Sequence, residues 1–167
     1  MSHSPHIAAS HSALRELGWP VESRGDQLML IATGGLCAVE MPRALGVRVL
    51  DTLRQSQVHG PVAELPRAER QYLFIVESDV VVSQRRAATL GCALWLSSDE
   101  VELPPSRLPG GSARWVVEPS ARQGSLPTLS TVIWALEGIG RRAHAKLSTN
   151  VGRRASVVAG GRIGTGC

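Results

Sequence analysis

Aromatic residues are scarce in this chain: four Trp, one Tyr and one Phe among 167 residues. That excludes a broad stacking platform for single-stranded nucleic acid. Lysine is scarcer still. Lys146 is the only one, and every other basic residue is an arginine, a bias that by itself specifies no partner. The three cysteines, Cys37, Cys92 and Cys167, are far apart and no C-x-x-C occurs. A disulfide framework and a structural zinc site are thereby excluded, and Cys37 and Cys92, set in apolar runs, read as small core residues. No stretch reaches the roughly 18 apolar residues of a membrane span. The opening MSHSPHIAASHS has no basic region leading into an apolar core, so no secretory signal is read there. These absences point to a reducing cytoplasm and no membrane partner. G-x-x-x-x-G-K-S/T and G-x-G-x-x-G are both missing, which excludes a P-loop and a dinucleotide fingerprint.

What is present is globular in kind, with 43% hydrophobic and 19% charged residues. A chain of this length suits one domain and can bury roughly 68–70% of its unfolded surface without staples. Charge is uneven. No acid follows Glu137, whereas Arg141, Arg142, Lys146, Arg153, Arg154 and Arg162 all do. The first 137 residues hold 12 basic against 14 acidic side chains, so a slightly acidic body carries a basic end. The expected organisation is a flexible leader over 1–10, with His3 and His6 in it, a domain over 11–145, and a basic, disordered, Gly- and Ser-rich tail over 146–167. Arg153, Arg154 and Arg162 make that tail a candidate nucleic-acid arm, since cationic side chains bind phosphates by releasing counterions.

Along the body, Ala13, Leu14 and Leu17 have helical spacing and Gly18 is a stop. The segment LMLIATGGLCAVEMP, Leu28 to Pro42, reads as a hairpin of two strands about a Thr33-Gly34-Gly35 turn. Pro42 ends it and opens a helix with Leu45, Val49 and Leu53 on one face. GPVAELP, QYLFIVE, CALWLS, VELPP and SARWVVEP read as strands and SQRRAATLG as a short helix. Leu129, Val132, Ile133, Leu136 and Ile139 give a last amphipathic helix. Trp19, Trp95, Trp115 and Trp134 all lie in apolar runs and are expected in the core. The fold class is α+β, a mixed or antiparallel sheet flanked by helices.

Four segments in order resemble the N-terminal domain of bifunctional DNA primase/polymerases, the prim-pol family, in the small stand-alone form common in actinobacteria. They are ALRELGWPV, IATGGLCAVEMP, GPVAELPRAERQYLFIVES and VELPPSRLPGGSARWVVEP, spread over roughly Ala13 to Arg142. The resemblance implies a primase-like α+β fold. It also implies an active site in which carboxylates hold two divalent ions, Mg or Mn, for nucleotidyl transfer. The family's Asp-x-Asp falls on Glu40, Met41 and Pro42, and its histidine falls in the strand RQYLFIV, which has none. A further acid expected upstream of Pro104-Pro105 is missing from GCALWLSS.

These departures lead to the expectation of a scaffold kept and a catalytic set lost, with no catalytic residue assigned and no cofactor. The partner would be DNA or a nucleotide. Alternatives are a protein-interaction module that keeps only the fold, or an active metal-dependent primase/polymerase. Thr33, Gly34 and Gly35 form either a plain turn or a phosphate cradle. Ser106 and Arg107, behind a stiff Pro-Pro, are further phosphate candidates. Glu40 is either a strand-end acid facing water or the remaining metal ligand.

Overall fold

Ile7 and Leu14 stand two helical turns apart, so one face of a helix can bury both. The computed structural model describes residues 5–96, 98–120 and 125–158, excepting the side chains of 146–158, and it places both residues in α1 (Pro5–Glu16), fully buried. Packed residues therefore reach into the expected leader. Gly18, at φ 79°, ends α1: its N–H bonds Arg15 O, and the Trp19 N–H bonds Leu14 O at 3.0 Å. This paired closure satisfies the last carbonyls of the helix.

The strands that follow are β1 (Val21–Arg24), β2 (Gln27–Ile31) and β3 (Leu36–Pro42), and then comes α2 (Arg43–Gln55). Next are β4 (Val62–Leu65), β5 (Gln71–Glu77), α3 (Gln84–Thr89), β6 (Ala93–Trp95) and β7 (Glu100–Leu103). A small hairpin, β8 (Arg107–Leu108) with β9 (Gly111–Ser112), precedes β10 (Arg114–Val117) and α4 (Leu129–Val158). Two antiparallel sheets carry the fold. One has the order β10-β4-β5-β3-β6 and the other β1-β2-β7.

The five-stranded sheet has a core on each face. On one, Val39, Met41, Tyr72, Phe74 and Val76 pack with α2, α3 and α4. On the other, Ala38, Leu73 and Ile75 pack with the three-stranded sheet and α1. Because side chains alternate along a strand, β3 and β5 are apolar on both sides.

The expected hairpin of LMLIATGGLCAVEMP is not formed. β2 pairs with β1 and β7, whereas β3 pairs with β5 and β6. The turn itself is of the hairpin kind: Gly34 has φ 63°, Gly35 has φ 85°, and the Leu36 N–H bonds Thr33 O at 3.0 Å. It hands the chain from one sheet to the other, because two fully buried strands each need partners on both edges. A Cβ at either glycine would meet nothing within 4 Å, so only the backbone angle resists substitution. Gly34→Val and Gly35→Val should each lower stability by about 1–2 kcal/mol, read as a fall in the urea midpoint. An unchanged midpoint would show that the turn adapts.

Three further differences have simple causes. β1 and the β8–β9 hairpin are too short for periodicity to reveal. Trp134 is 53% exposed, because Val132, Ile133, Ala135 and Leu136 around it take the buried face. α4 carries a helical backbone to Val158, into the segment expected as a disordered tail. Once nucleated, a helix extends by one hydrogen bond per residue without needing an apolar face. Residues 159–167 lie outside the described residues.

Candidate functional site: an arginine between two carboxylates

Strand register decides which side chains meet. Glu40 pairs with Leu73 on one side and Ala93 on the other, and Pro42 pairs with Gln71. Glu40, Pro42, Gln71 and Ala93 thus project from the same face of the sheet. A cleft of about 380 Å³ opens there, lined also by Arg67 and Trp95.

Glu40 does not face water. It is only 8% exposed, and its carboxylate is fully engaged. Arg67 Nε donates to Oε1 at 2.6 Å and the Trp95 indole N–H donates to Oε2 at 2.9 Å. Arg67 Nη2 donates to Glu102 Oε2 at 3.0 Å. One guanidinium therefore bridges two carboxylates from different sheets, Glu40 of β3 and Glu102 of β7. Burial opposes the charge on Arg67, but the Glu40 hydrogen bond and the charges of Glu40 and Glu102 outweigh it and raise the guanidinium above its ordinary pKa.

The β4–β5 connection delivers Arg67. The Arg67 N–H bonds Leu65 O at 3.0 Å, and Pro66 lies against Gly110 so closely that a Cβ there would sit 2.1 Å from Pro66 O. The β8–β9 hairpin thereby backs the turn that carries the arginine.

The sequence model described as bifunctional DNA primase/polymerase, N-terminal, matches residues 7–129. The chain belongs to this prim-pol family. No curated protein and no solved structure matches it.

In this prim-pol domain the two-metal arrangement implied by the family does not fit the residues present. The strand positions of the Asp-x-Asp hold Glu40 and Pro42, and Pro42 has no side-chain oxygen. Gln71 faces the cleft from the strand expected to carry a histidine. Between Glu40 and Glu102 the place of a cation is taken by the Arg67 guanidinium. Among the described residues no group of three or more His, Cys, Asp or Glu is placed to hold a metal ion.

The phosphate candidates are not brought together. Thr33, Gly34 and Gly35 line a larger cleft of about 800 Å³ with Trp19 and Ser78, but among the described residues its charged lining is Glu16 and Glu77, which repel phosphate. Ser106 is fully buried and cannot serve as a phosphate contact. Its hydroxyl accepts from Leu28 N at 2.7 Å and donates to Leu28 O at 3.1 Å. Arg107 is exposed beside it. Both sit at the Leu28 end of β2, and the Thr-Gly turn is at the other end, roughly 15 Å away at strand rise. Arg153 and Arg154 fall on the helical backbone of α4, and Arg162 is outside the described residues.

Sequence reasoning missed Arg67, Glu102 and the polar use of Trp95. The only local signal was the alternation of Glu100 and Glu102 with buried Val101 and Leu103, which marks two acids on one face.

Proposed function

We propose that this prim-pol domain does not catalyse nucleotidyl transfer and instead binds nucleic acid or a nucleotide. The bridging of Glu40 and Glu102 by Arg67 carries the first half of that reading. A carboxylate already neutralised by a half-buried guanidinium has little charge to offer a hard divalent cation, and without the cation the attacking and leaving oxygens go unpolarised. Losing that stabilisation, several kcal/mol, slows phosphoryl transfer by orders of magnitude. The second half is supported by the acid-free basic stretch after Glu137, where Arg141 and Arg142 are exposed on α4 beyond Ile139, its last buried residue among those described.

Calorimetry with Mg²⁺ and Mn²⁺ should show no saturable binding, and primer extension with Mn²⁺ should yield no product. Saturable micromolar binding abolished by Glu40→Ala would establish a live metal site and defeat the proposal. Exposed Val81 and Trp134 favour a second reading, a protein-interaction module. Absence of any mobility shift on DNA at low salt would select it.

A further inference from the structure

We infer that Arg43, Arg70 and Arg114 form a contact site for the phosphodiester backbone of a nucleic acid strand, held in shape by the buried carboxylate of Glu64. This inference rests on the binding half of the proposed function and names the surface that performs it.

Glu64 lies on β4, with its side chain only 4% exposed. It accepts from Arg70 Nη1 on one oxygen and from Arg114 Nη2 on the other, each at 2.7 Å. Both arginines are otherwise at the surface, with side chains 62% and 64% exposed. The third, Arg43, opens α2, and its backbone N–H bonds Arg70 O at 2.9 Å. Its side chain is exposed and carries no ion pair among the described residues.

The three arginines stand together because the strands end together. Pro42 pairs with Gln71, Leu65 with Gln71, and Glu64 with both Tyr72 and Arg114. The group thus caps the end of the sheet at which the cleft of Glu40 and Arg67 opens. It lies on the helix side, since Glu64 shares the face of Tyr72.

Stability is a poor account of this arrangement. A buried carboxylate is expensive to desolvate, and replacing a buried charge triad by apolar residues is often neutral or stabilising. What the triad does achieve is orientation. Two flexible guanidiniums are held, one on each oxygen of a single acid, with most of each side chain exposed to solvent. Planar forks held this way match phosphate oxygens bidentately. Burial works against the charge on Glu64, but hydrogen bonds from Arg114 and Arg70 outweigh it and hold its carboxyl below the ordinary range. The clamp is therefore set at neutral pH. The exposed acid of the same turn, Glu69, leaves the group with one net positive charge. That balance suits several shared contacts along a strand better than tight capture of one small anion.

The test uses the full chain and a fluorescein-labelled single-stranded oligonucleotide, followed by anisotropy over a salt series. Two variants are compared. Arg43→Ala removes a side chain with no partner to orphan. The triple variant Glu64→Leu, Arg70→Met, Arg114→Met removes the triad as a unit and leaves no buried charge behind. The slope of log affinity against log salt should become shallower by about 0.7 in the first and about 1.4 in the second. The urea midpoints should stay near that of the wild type. If the wild type binds and neither variant changes slope or affinity, the site is wrong and the binding function stands. If the wild type does not bind at low salt, the binding function itself fails. A nucleoside triphosphate added alone forms the last arm, and its binding in place of the oligonucleotide would overturn the assignment to a strand backbone.

Discussion

Arg67→Met is expected to destabilise the domain by about 2–4 kcal/mol, far more than a surface ion pair would lose. The side chain keeps most of its volume, so the effect isolates charge and hydrogen bonding. It leaves Glu40 only 8% exposed with the Trp95 indole as its one remaining donor, and it unpairs Glu102 as well. Removing one partner of a buried pair is costly because the other charge stays behind. Glu40→Gln in the Arg67→Met background should recover part of the loss, because a neutral amide can still accept from Trp95. Urea unfolding of the wild type, both single variants and the double variant closes the cycle. A loss within the 0–1 kcal/mol typical of exposed pairs, or strict additivity, would mean that Arg67 is merely a surface arginine.

Gly110→Ala should be nearly as damaging, at about 3 kcal/mol. The added Cβ would sit 2.1 Å from Pro66 O and 3.0 Å from Pro66 C. Both obstacles are backbone atoms, so no rotamer change relieves the overlap and the β4–β5 turn itself must move. Overpacking of this kind reaches the upper part of the usual 1–3 kcal/mol range. Because that turn carries Arg67, the effects of Gly110→Ala and Arg67→Met should overlap rather than add. Full additivity in denaturation would separate the glycine from the cleft.

The features legible in the sequence were those set by neighbours along the chain. The spacing of Leu129, Val132, Ile133, Leu136 and Ile139 placed the buried face of α4. The apolar run of QYLFIVE placed β5, and Gly18 and Pro42 marked a helix end and a helix start. Partners across sequence distance were not legible. The Thr-Gly-Gly turn has the chemistry of a hairpin, yet nothing in the sequence says that its two strands belong to different sheets. Glu40 read as either a water-facing acid or a metal ligand, because the arginine that covers it is 27 residues away and Glu102 is 35 residues beyond Arg67. Ile7 was hidden by its polar surroundings, and Trp134 was misplaced because its neighbours are apolar. The family resemblance identified the family and its α+β fold. It did not reveal that an internal cation stands between the two acids.

The alternation along β3 gives the Glu40–Arg67 pair a second consequence, in the fidelity of folding. β3 and β5 are apolar on both faces, so hydrophobicity alone would tolerate a shift of β3 by one residue. Such a slip would turn Met41 into the cleft and carry Glu40 to the helix side, among Tyr72 and Phe74, away from Arg67 and onto a face where Arg70 and Arg114 are already held by Glu64. Burying an unpaired carboxylate there costs several kcal/mol or forces its protonation. The Glu40 charge, paired with Arg67, thus acts as a key that admits one alignment of the central strands and rejects its neighbours.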